Sequence, residues 1–503
     1  MAERTLMKLQ NGSDVRGVAL DGVEGEPVTL TEEAANVIAK AFALWLSQKT
    51  AKPLPDLKIG IGRDARVTGE ALARAAASGI ASVRAQAADC GLATTPALFM
   101  STVFDETKFD GALMVTASHL PFNRNGMKFF TAEGGLEHDE ITALLEAAQK
   151  QEPGQTDTPY RFSCDLISLY ASYLKQAICR ELGSREENRP LSGLKIIVDA
   201  GNGDAGFFTE KILEPLGADT SGSLYLEPDG MFPNHIPNPE NRQAMQAIQK
   251  ATVDSGADLG LIFDTDVDRM SAVFHTGAEV SRDAIIALVA AILAPAYPGS
   301  TIVTDSVTSD RLTYFLEQKL GLVHLRYMRG YKNVIDKCRE LNAGGTVSPL
   351  AMETSGHGAL KDNYYLDDGA FLAVKLIAAL AKAAREHKNI ESLIAQLPPA
   401  GAEAEFRLKI TAEQFREYGT DVLESFKERA KKKGFTLPES FEGVRISFRE
   451  KGTEGWLLLR LSLHDPVMPL NVEGKTPEDR DAIVLAAKEL LKGFSQLDTS
   501  SLG

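Results

Sequence analysis

Short apolar runs that end in small, polar or acidic residues, each followed by an amphipathic stretch, recur along the chain. LKIGIGRDARVTGEALARAAASGI (57–80) has this form, LKIIVDAGNGDAGFFTEKILEPLGA (194–218) repeats it, and STIVTDSVTSDRLTYFLEQKLG (300–321) shows it a third time. Each reads as a strand, a loop and a helix, and the alternation predicts α/β units with mostly parallel strands. The starts lie 137 and 106 residues apart, well beyond the roughly 20–50 residues of a solenoid repeat. Three related α/β domains are therefore expected. From about residue 403 the pattern changes. EFRLKI (405–410), GVRISFRE (443–450) and GWLLLRLSL (455–463) read as strands of a largely antiparallel sheet, with helices around 412–433 and 476–494. QLPPAGAEAE (396–405) reads as a linker, and softer boundaries fall near 151–159 and 277–283. The expected domains are 1–155, 156–280, 281–398 and 403–503.

Composition narrows the classes. The 503 residues are 44% hydrophobic and 24% charged, a globular balance. With 54 basic and 69 acidic residues the net charge is −15, which argues against a nucleic-acid or anionic-membrane binder. The longest apolar run, AIIALVAAILA (284–294), stops at Pro295, short of the roughly 20 residues a membrane span needs. Cys90, Cys164, Cys179 and Cys338 have no metal-site spacing and fit a reducing compartment. MAERTLMKLQ lacks the apolar core of a signal peptide, so a cytoplasmic protein is expected.

Chemistry gathers in six segments. TASHLPFNRNGMKFF (116–130) places Ser118, His119 and Lys128 on a turn-rich loop after the apolar run GALMV. Neighbours on an extended chain face opposite ways, so His119 is expected to point away from the Ser118 hydroxyl. No GxSxG elbow is present. In LGLIFDTDVDR (259–269) an apolar strand ends in Asp264, Asp266 and Asp268, followed by Arg269. Three such carboxylates repel unless a cation sits among them, and oxygen ligands suit Mg²⁺ or Ca²⁺. An EF-hand is excluded, because Arg269 and His275 stand where its glycine and bidentate glutamate belong. Arg269 is suited to holding a phosphate. AMETSGHGALKD (351–362) offers Glu353, Ser355 and His357 to a polyol. LQNGSDVRGVA (9–19) carries Ser13 and Arg16, and RGYKNVIDK (329–337) puts Arg329 and Lys332 at a helix start, where anions are favoured. In RLSLHDPVMPLNVEG (460–474), Arg460, Ser462 and His464 follow a strand in a turn that could form an anion nest.

Together and in order, TASHLPFNRNGMKF, DTDVDR, METSGH and RLSLHDP resemble the signatures of the α-D-phosphohexomutases, the family of phosphoglucomutases and phosphomannomutases. The likeness spans essentially the whole chain. It implies three similar mixed α/β domains plus a divergent C-terminal α+β domain around a central cleft. It also implies an isomerase that interconverts hexose 1-phosphate and hexose 6-phosphate, of glucose and/or mannose, through a phosphoserine and a hexose 1,6-bisphosphate. Carried over by position, Ser118 is the phosphoserine, and with Asp264, Asp266 and Asp268 it holds Mg²⁺. Glu353 and Ser355 grip sugar hydroxyls, while Arg460 and Ser462, with His464 beside them, anchor the non-reacting phosphate. Arg16, Lys128, Arg269, Arg329 and Lys332 line the site, and His357 is the candidate general base. Hexose 1,6-bisphosphate is expected as activator and phosphorylated hexoses as partners, in a monomer or homodimer. The rival readings are a phosphoglucosamine mutase and a non-catalytic sugar-phosphate-binding protein on the same fold. Three departures stand out: Leu120 in the phosphoserine loop, Thr265 and Val267 where glycines usually separate the aspartates, and HDP in place of TEP.

Overall fold

The computed structural model describes residues 6–449, 452–462 and 465–503. They form four sheets. In the first, strand Lys58–Arg63 lies between the parallel strands Gln86–Leu92 and Gly111–Val115. Beyond Gly111–Val115 the sheet becomes antiparallel, through Arg124–Thr131 and then Asp14–Val18. The expected parallel bias gives way here because the loop 116–123 folds the chain straight back as a hairpin. Gly126 makes the close approach possible: a Cβ there would meet the carbonyl oxygens of Val15 at 2.5 Å and Thr116 at 2.6 Å. Helix Glu32–Thr50, capped by the Thr31 side chain, and helix Gly69–Ser82 bury their alanine-rich faces with the sheet in one apolar core.

The second sheet pairs Ile196–Asp199 in parallel with Leu259–Phe263, which turns antiparallel into Met270–Phe274. The helix expected after Asp199 is broken into a short turn at Asp204–Gly206 and a single π-helical turn at Thr209–Leu213. Gly201, Gly203 and Gly206 weaken a helix there and Pro215 ends it. Both sheets belong to one compact unit, residues 1–281 with 355–358 and 366–390. Within it, helix Gly369–Arg385 packs on helix Leu166–Leu182, where Lys375 and Lys382 pair with Glu181 at 2.6 and 3.0 Å.

The second unit holds residues 282–354, 359–365 and 391–503. Thr301–Thr304 lies parallel to both Val323–Arg326 and Leu350–Met352. The apolar run at 284–294 is the buried helix Asp283–Leu293. No helix among the described residues is long and apolar enough to cross a membrane. The C-terminal sheet is wholly antiparallel, in the order Ala402–Lys409, Val467–Gly474, Gly455–Leu459, Val444–Phe448, with helices Phe415–Lys432 and Pro477–Leu490. Strand Val467–Gly474 is central, although the sequence shows a turn at 460–466 and no strand is expected after it. Pro469, which cannot donate to a ladder and argues against a central strand, hides it.

Candidate active site

In the first unit Ser118 is buried at a φ of 49°, a left-handed conformation that costs a residue with a Cβ roughly 1–2 kcal/mol. Its Oγ donates to Asp264 Oδ2 at 2.8 Å. The same backbone turn brings His119 Nδ1 to 3.4 Å from that Oγ. The expected outward-pointing imidazole is thus corrected, since alternation holds only for an extended chain. Burial, with the positive charges of Arg269 and Arg16, pushes the His119 pKa down to about 3. The imidazole therefore stays neutral, and the serine proton already goes to Asp264.

Strand Leu259–Phe263 aims Asp264, Asp266 and Asp268 at this serine, all three nearly inaccessible. A carboxylate oxygen of each lies within 4.8 Å of the others. Burial, then the charges of Asp268 and Asp266, pushes Asp264 well above the usual carboxylate range. Asp268 goes the other way: burial opposes, but Lys128, His357 and Arg269 outweigh it and hold it below that range. Lys128 Nζ sits 3.0 Å from Asp266 Oδ2 and 2.6 Å from Asp268 Oδ2. Thr95 donates to Asp266 Oδ2 at 2.5 Å. One ammonium cannot balance three buried carboxylates, and Asp266 Oδ1 and Asp268 Oδ1 have no hydrogen-bond partner among the described residues. Buried oxygens left over in this way fit a hard divalent cation. Val267, where the resembled motif has glycine, holds a φ of 67° while fully buried.

Three further expected residues join this group. Arg16, on strand Asp14–Val18, pairs with Asp14 at 3.0 Å. Arg269 reaches Asp264 Oδ2 at 3.8 Å and Glu240 at 3.7 Å. His357 forms a backbone bridge with Arg269, and its Nδ1 lies 2.5 Å from Asp367 Oδ2 and 3.9 Å from Asp268 Oδ1. Gly356, at φ 93°, lets this segment, with Ser355 in it, lie on residue 270; a Cβ would come 2.7 Å from the Met270 carbonyl oxygen.

The second unit gathers the others. Glu353 accepts from the Gly330 N–H at 2.6 Å, so the glutamate and the start of helix Tyr331–Ala343, which carries Lys332, are tied together. The Arg329 N–H donates to Glu442 Oε1 at 3.2 Å, and Arg460 lies within electrostatic reach of both Glu442 and Arg329. The Ser462 hydroxyl accepts from the Asp465 N–H at 3.2 Å. Beneath Glu353, Asp305 accepts from Thr354 Oγ1 at 2.9 Å. Burial and then the Glu353 charge push the Asp305 pKa up to about 7. His464 lies outside the described residues.

Sequence reasoning missed Asp64, Arg66, Thr95, Asp305, Asp367 and Glu442. A signal existed for two of these, Asp64 and Asp305, because the apolar run of each repeated unit ends in an aspartate: Asp64, Asp199 and Asp305. Asp64 takes the Thr116 hydroxyl at 2.7 Å, Asp199 holds His235 at 3.0 Å, and Asp305 holds Thr354. All three brace the loop that follows or faces them.

Comparison with known proteins agrees along the chain. Residues 7–155, 168–277 and 281–400 match phosphoglucomutase/phosphomannomutase alpha/beta/alpha domains I, II and III. A phosphomannomutase/phosphoglucomutase of Pseudomonas putida is 30% identical over 95% of this chain and 94% of its own. A phosphoglucosamine mutase of Ruminiclostridium cellulolyticum is 29% identical over 94% of this chain and 97% of its own. The crystal structure of a phosphoglucomutase/phosphomannomutase family protein from Burkholderia thailandensis superposes with a TM-score of 0.77 at 25% identity, covering 98% of each chain. On this evidence the chain belongs to the phosphoglucomutase/phosphomannomutase family, the α-D-phosphohexomutases.

Proposed function

We propose that the protein is a phosphohexomutase interconverting hexose 1-phosphate and hexose 6-phosphate, of glucose and/or mannose, with Ser118 as the phosphoryl carrier. The observation that carries this reading is the Ser118 Oγ, 2.8 Å from Asp264 in a cluster of buried carboxylates with oxygens left over. A resting phosphoserine adds about −1.5 to −2 charges, and such a site tolerates that only with cations around it. Asp264, Asp266 and Asp268, with a phosphoserine oxygen, would hold Mg²⁺. Bound there, the metal would neutralise charge on the transferring phosphoryl group. Lys128, Arg16 and Arg269 supply the fixed positive charge.

Two transfers complete the reaction. The Ser118 Oγ–P bond breaks as a P–O bond forms to the sugar 6-hydroxyl, whose proton passes to His357, braced by Asp367. The hexose 1,6-bisphosphate then turns over, and its 1-phosphate returns to Ser118 as His357 gives the proton back. Glu353 and Ser355 grip the 3- and 4-hydroxyls, while Arg460, Ser462, Arg329 and Lys332 take the phosphate that is not reacting. Hexose 1,6-bisphosphate is the activator, because it phosphorylates an empty Ser118.

The likeness to a phosphoglucosamine mutase sets the design of the test. The protein is incubated with Mg²⁺, a trace of glucose 1,6-bisphosphate and, in turn, glucose, mannose or glucosamine 1-phosphate, and phosphorus NMR follows each tube. Conversion to 6-phosphates that Ser118→Ala abolishes supports the reading and ranks the sugars. Release of free phosphate, or no change from a phosphorylated and folded sample, overturns it.

A further inference from the structure

One closed ring of hydrogen bonds holds both backbone polar groups of Ser118. Its N–H donates to Thr116 Oγ1 at 2.8 Å, and the Thr116 hydroxyl donates to Asp64 Oδ2 at 2.7 Å. That carboxylate oxygen accepts from Arg66 Nε at 3.2 Å, and Arg66 Nη2 closes the ring on the Ser118 carbonyl. The same guanidinium also binds the carbonyls of Leu120 at 2.6 Å, Pro121 at 2.7 Å and Arg124 at 2.9 Å.

Arg66 thus uses all five of its N–H donors, three of them on carbonyls of the loop 116–123 and one on Arg124, where the next strand begins. Asp64, Arg66 and Thr116 are 0, 1 and 1% exposed. With no donor left over and no accessible surface, Arg66 is not a substrate-binding arginine. Its fork is rigid and stays charged, so the four carbonyls it gathers are fixed relative to the strand that ends at Arg63.

We propose that Asp64, Arg66 and Thr116 are positioning residues for phosphoryl transfer, holding Ser118 in the left-handed conformation that aims its Oγ at Asp264. The inference rests on the reading of Ser118 as the phosphoryl carrier. The ring closes on the N–H and C=O of Ser118 itself, so it sets the φ and ψ of that residue. Opening it lets Ser118 relax toward an extended conformation, which swings the Oγ away. Misplacement of a reacting group by about 1 Å can cost 100-fold in rate.

Thr116→Val opens the ring at two bonds while keeping the shape of the side chain, and Thr116→Ser keeps the hydroxyl. Thermal melting, phosphate content after incubation with glucose 1,6-bisphosphate, kcat and KM are measured for both and for the parent. Thr116→Val is expected to stay folded at assay temperature, with kcat about 100-fold lower and KM within about two-fold, and Thr116→Ser to recover most of kcat. Arg66→Lys, which cannot reach all five acceptors, is expected to show the same split. Overturning results are a folded, phosphorylated Thr116→Val that turns over like the parent, or losses in Val and Ser variants that follow melting temperature alone. A parent that takes up no phosphate and converts no sugar phosphate is a different failure: it sinks the mutase reading, and this inference with it.

Discussion

Lys128 stands between two buried carboxylates and is the first of the cations that offset the burial of Asp268, 3.0 Å from Asp266 and 2.6 Å from Asp268. Removing one partner of a buried pair leaves an uncompensated charge, at a cost of about 3–5 kcal/mol. Lys128→Met is therefore expected to melt well below the parent in a chelating buffer. Added Mg²⁺ should raise its melting temperature more than the parent's, because no ammonium already neutralises the same carboxylates. Its turnover should still fall about 100-fold, since a cation at the transferring group is gone. Melting curves with and without Mg²⁺ check this, and equal curves for variant and parent in chelator contradict it. At this scale short motifs in the sequence marked out residues that the structure brings together: Ser118, the three aspartates, Lys128 and His357. It did not show what depends on a single backbone angle. The φ of 49° at Ser118 decides both where His119 lies and which carbonyls face Arg66, and residue spacing carries no trace of it.

Among the elements, the strand-ending aspartates repeat as the strands do, and Asp199 gives one of them a pH signature. Its carboxylate takes His235 Nε2 at 3.0 Å and also the Gly201 N–H at 2.9 Å, fixing the turn after strand Ile196–Asp199. Burial alone would lower the His235 pKa, but the hydrogen bonds and charge of Asp199 outweigh it and the pKa is raised above 6.5. The folded state thus holds a proton that the unfolded chain gives up first. The stability this supplies is complete below the unfolded value of about 6.5 and is lost as pH rises through the higher folded value. Melting temperature followed upward from pH 6 should decline over that window in the parent, with the decline much reduced in His235→Gln. That variant should also start about 3 kcal/mol less stable, with Asp199 left without its cation. A parallel decline in both proteins rules out His235 as the source. The elements themselves were legible where periodicity was clean, as at Lys58–Arg63 with Gly69–Ser82. They were obscured where a breaker stood inside one, as with the glycines that split 204–213 and Pro469 in a central strand.

Over the whole molecule, 396–405 reads as a linker, and the residues after it are anchored to the domain before it. Arg445, 2% exposed, donates to the carbonyls of Ser306 at 3.1 Å and Thr308 at 3.2 Å, and to Asp310 at 3.0 Å. Its guanidinium lies 3.9 Å from the centre of the Trp456 ring. The indole in turn donates to Glu473, whose other oxygen takes the Ser309 hydroxyl at 2.8 Å. Nothing in 444–448 marks Arg445 out from other strand arginines, because its partners lie more than a hundred residues earlier. Such a joint is polar and directional, so it weakens as a whole when its centre is lost. Arg445→Met keeps much of the volume but removes three charge-assisted hydrogen bonds and strands the Ser306 carbonyl, while Thr308 and Asp310 keep their bonds to Arg326, a change expected to cost about 3 kcal/mol. That corresponds to roughly a 100-fold larger population with 403–503 undocked. Limited proteolysis at low protease, read by mass spectrometry, should show cleavage near 396–405 faster by that factor. Ser118 should still take up phosphate, since the undocked form stays a minority and the groups that hold Ser118 belong to the other unit. Cleavage at the parental rate would mean that the apolar contact of Val307 with Trp456 and Leu458 is enough to hold the last domain.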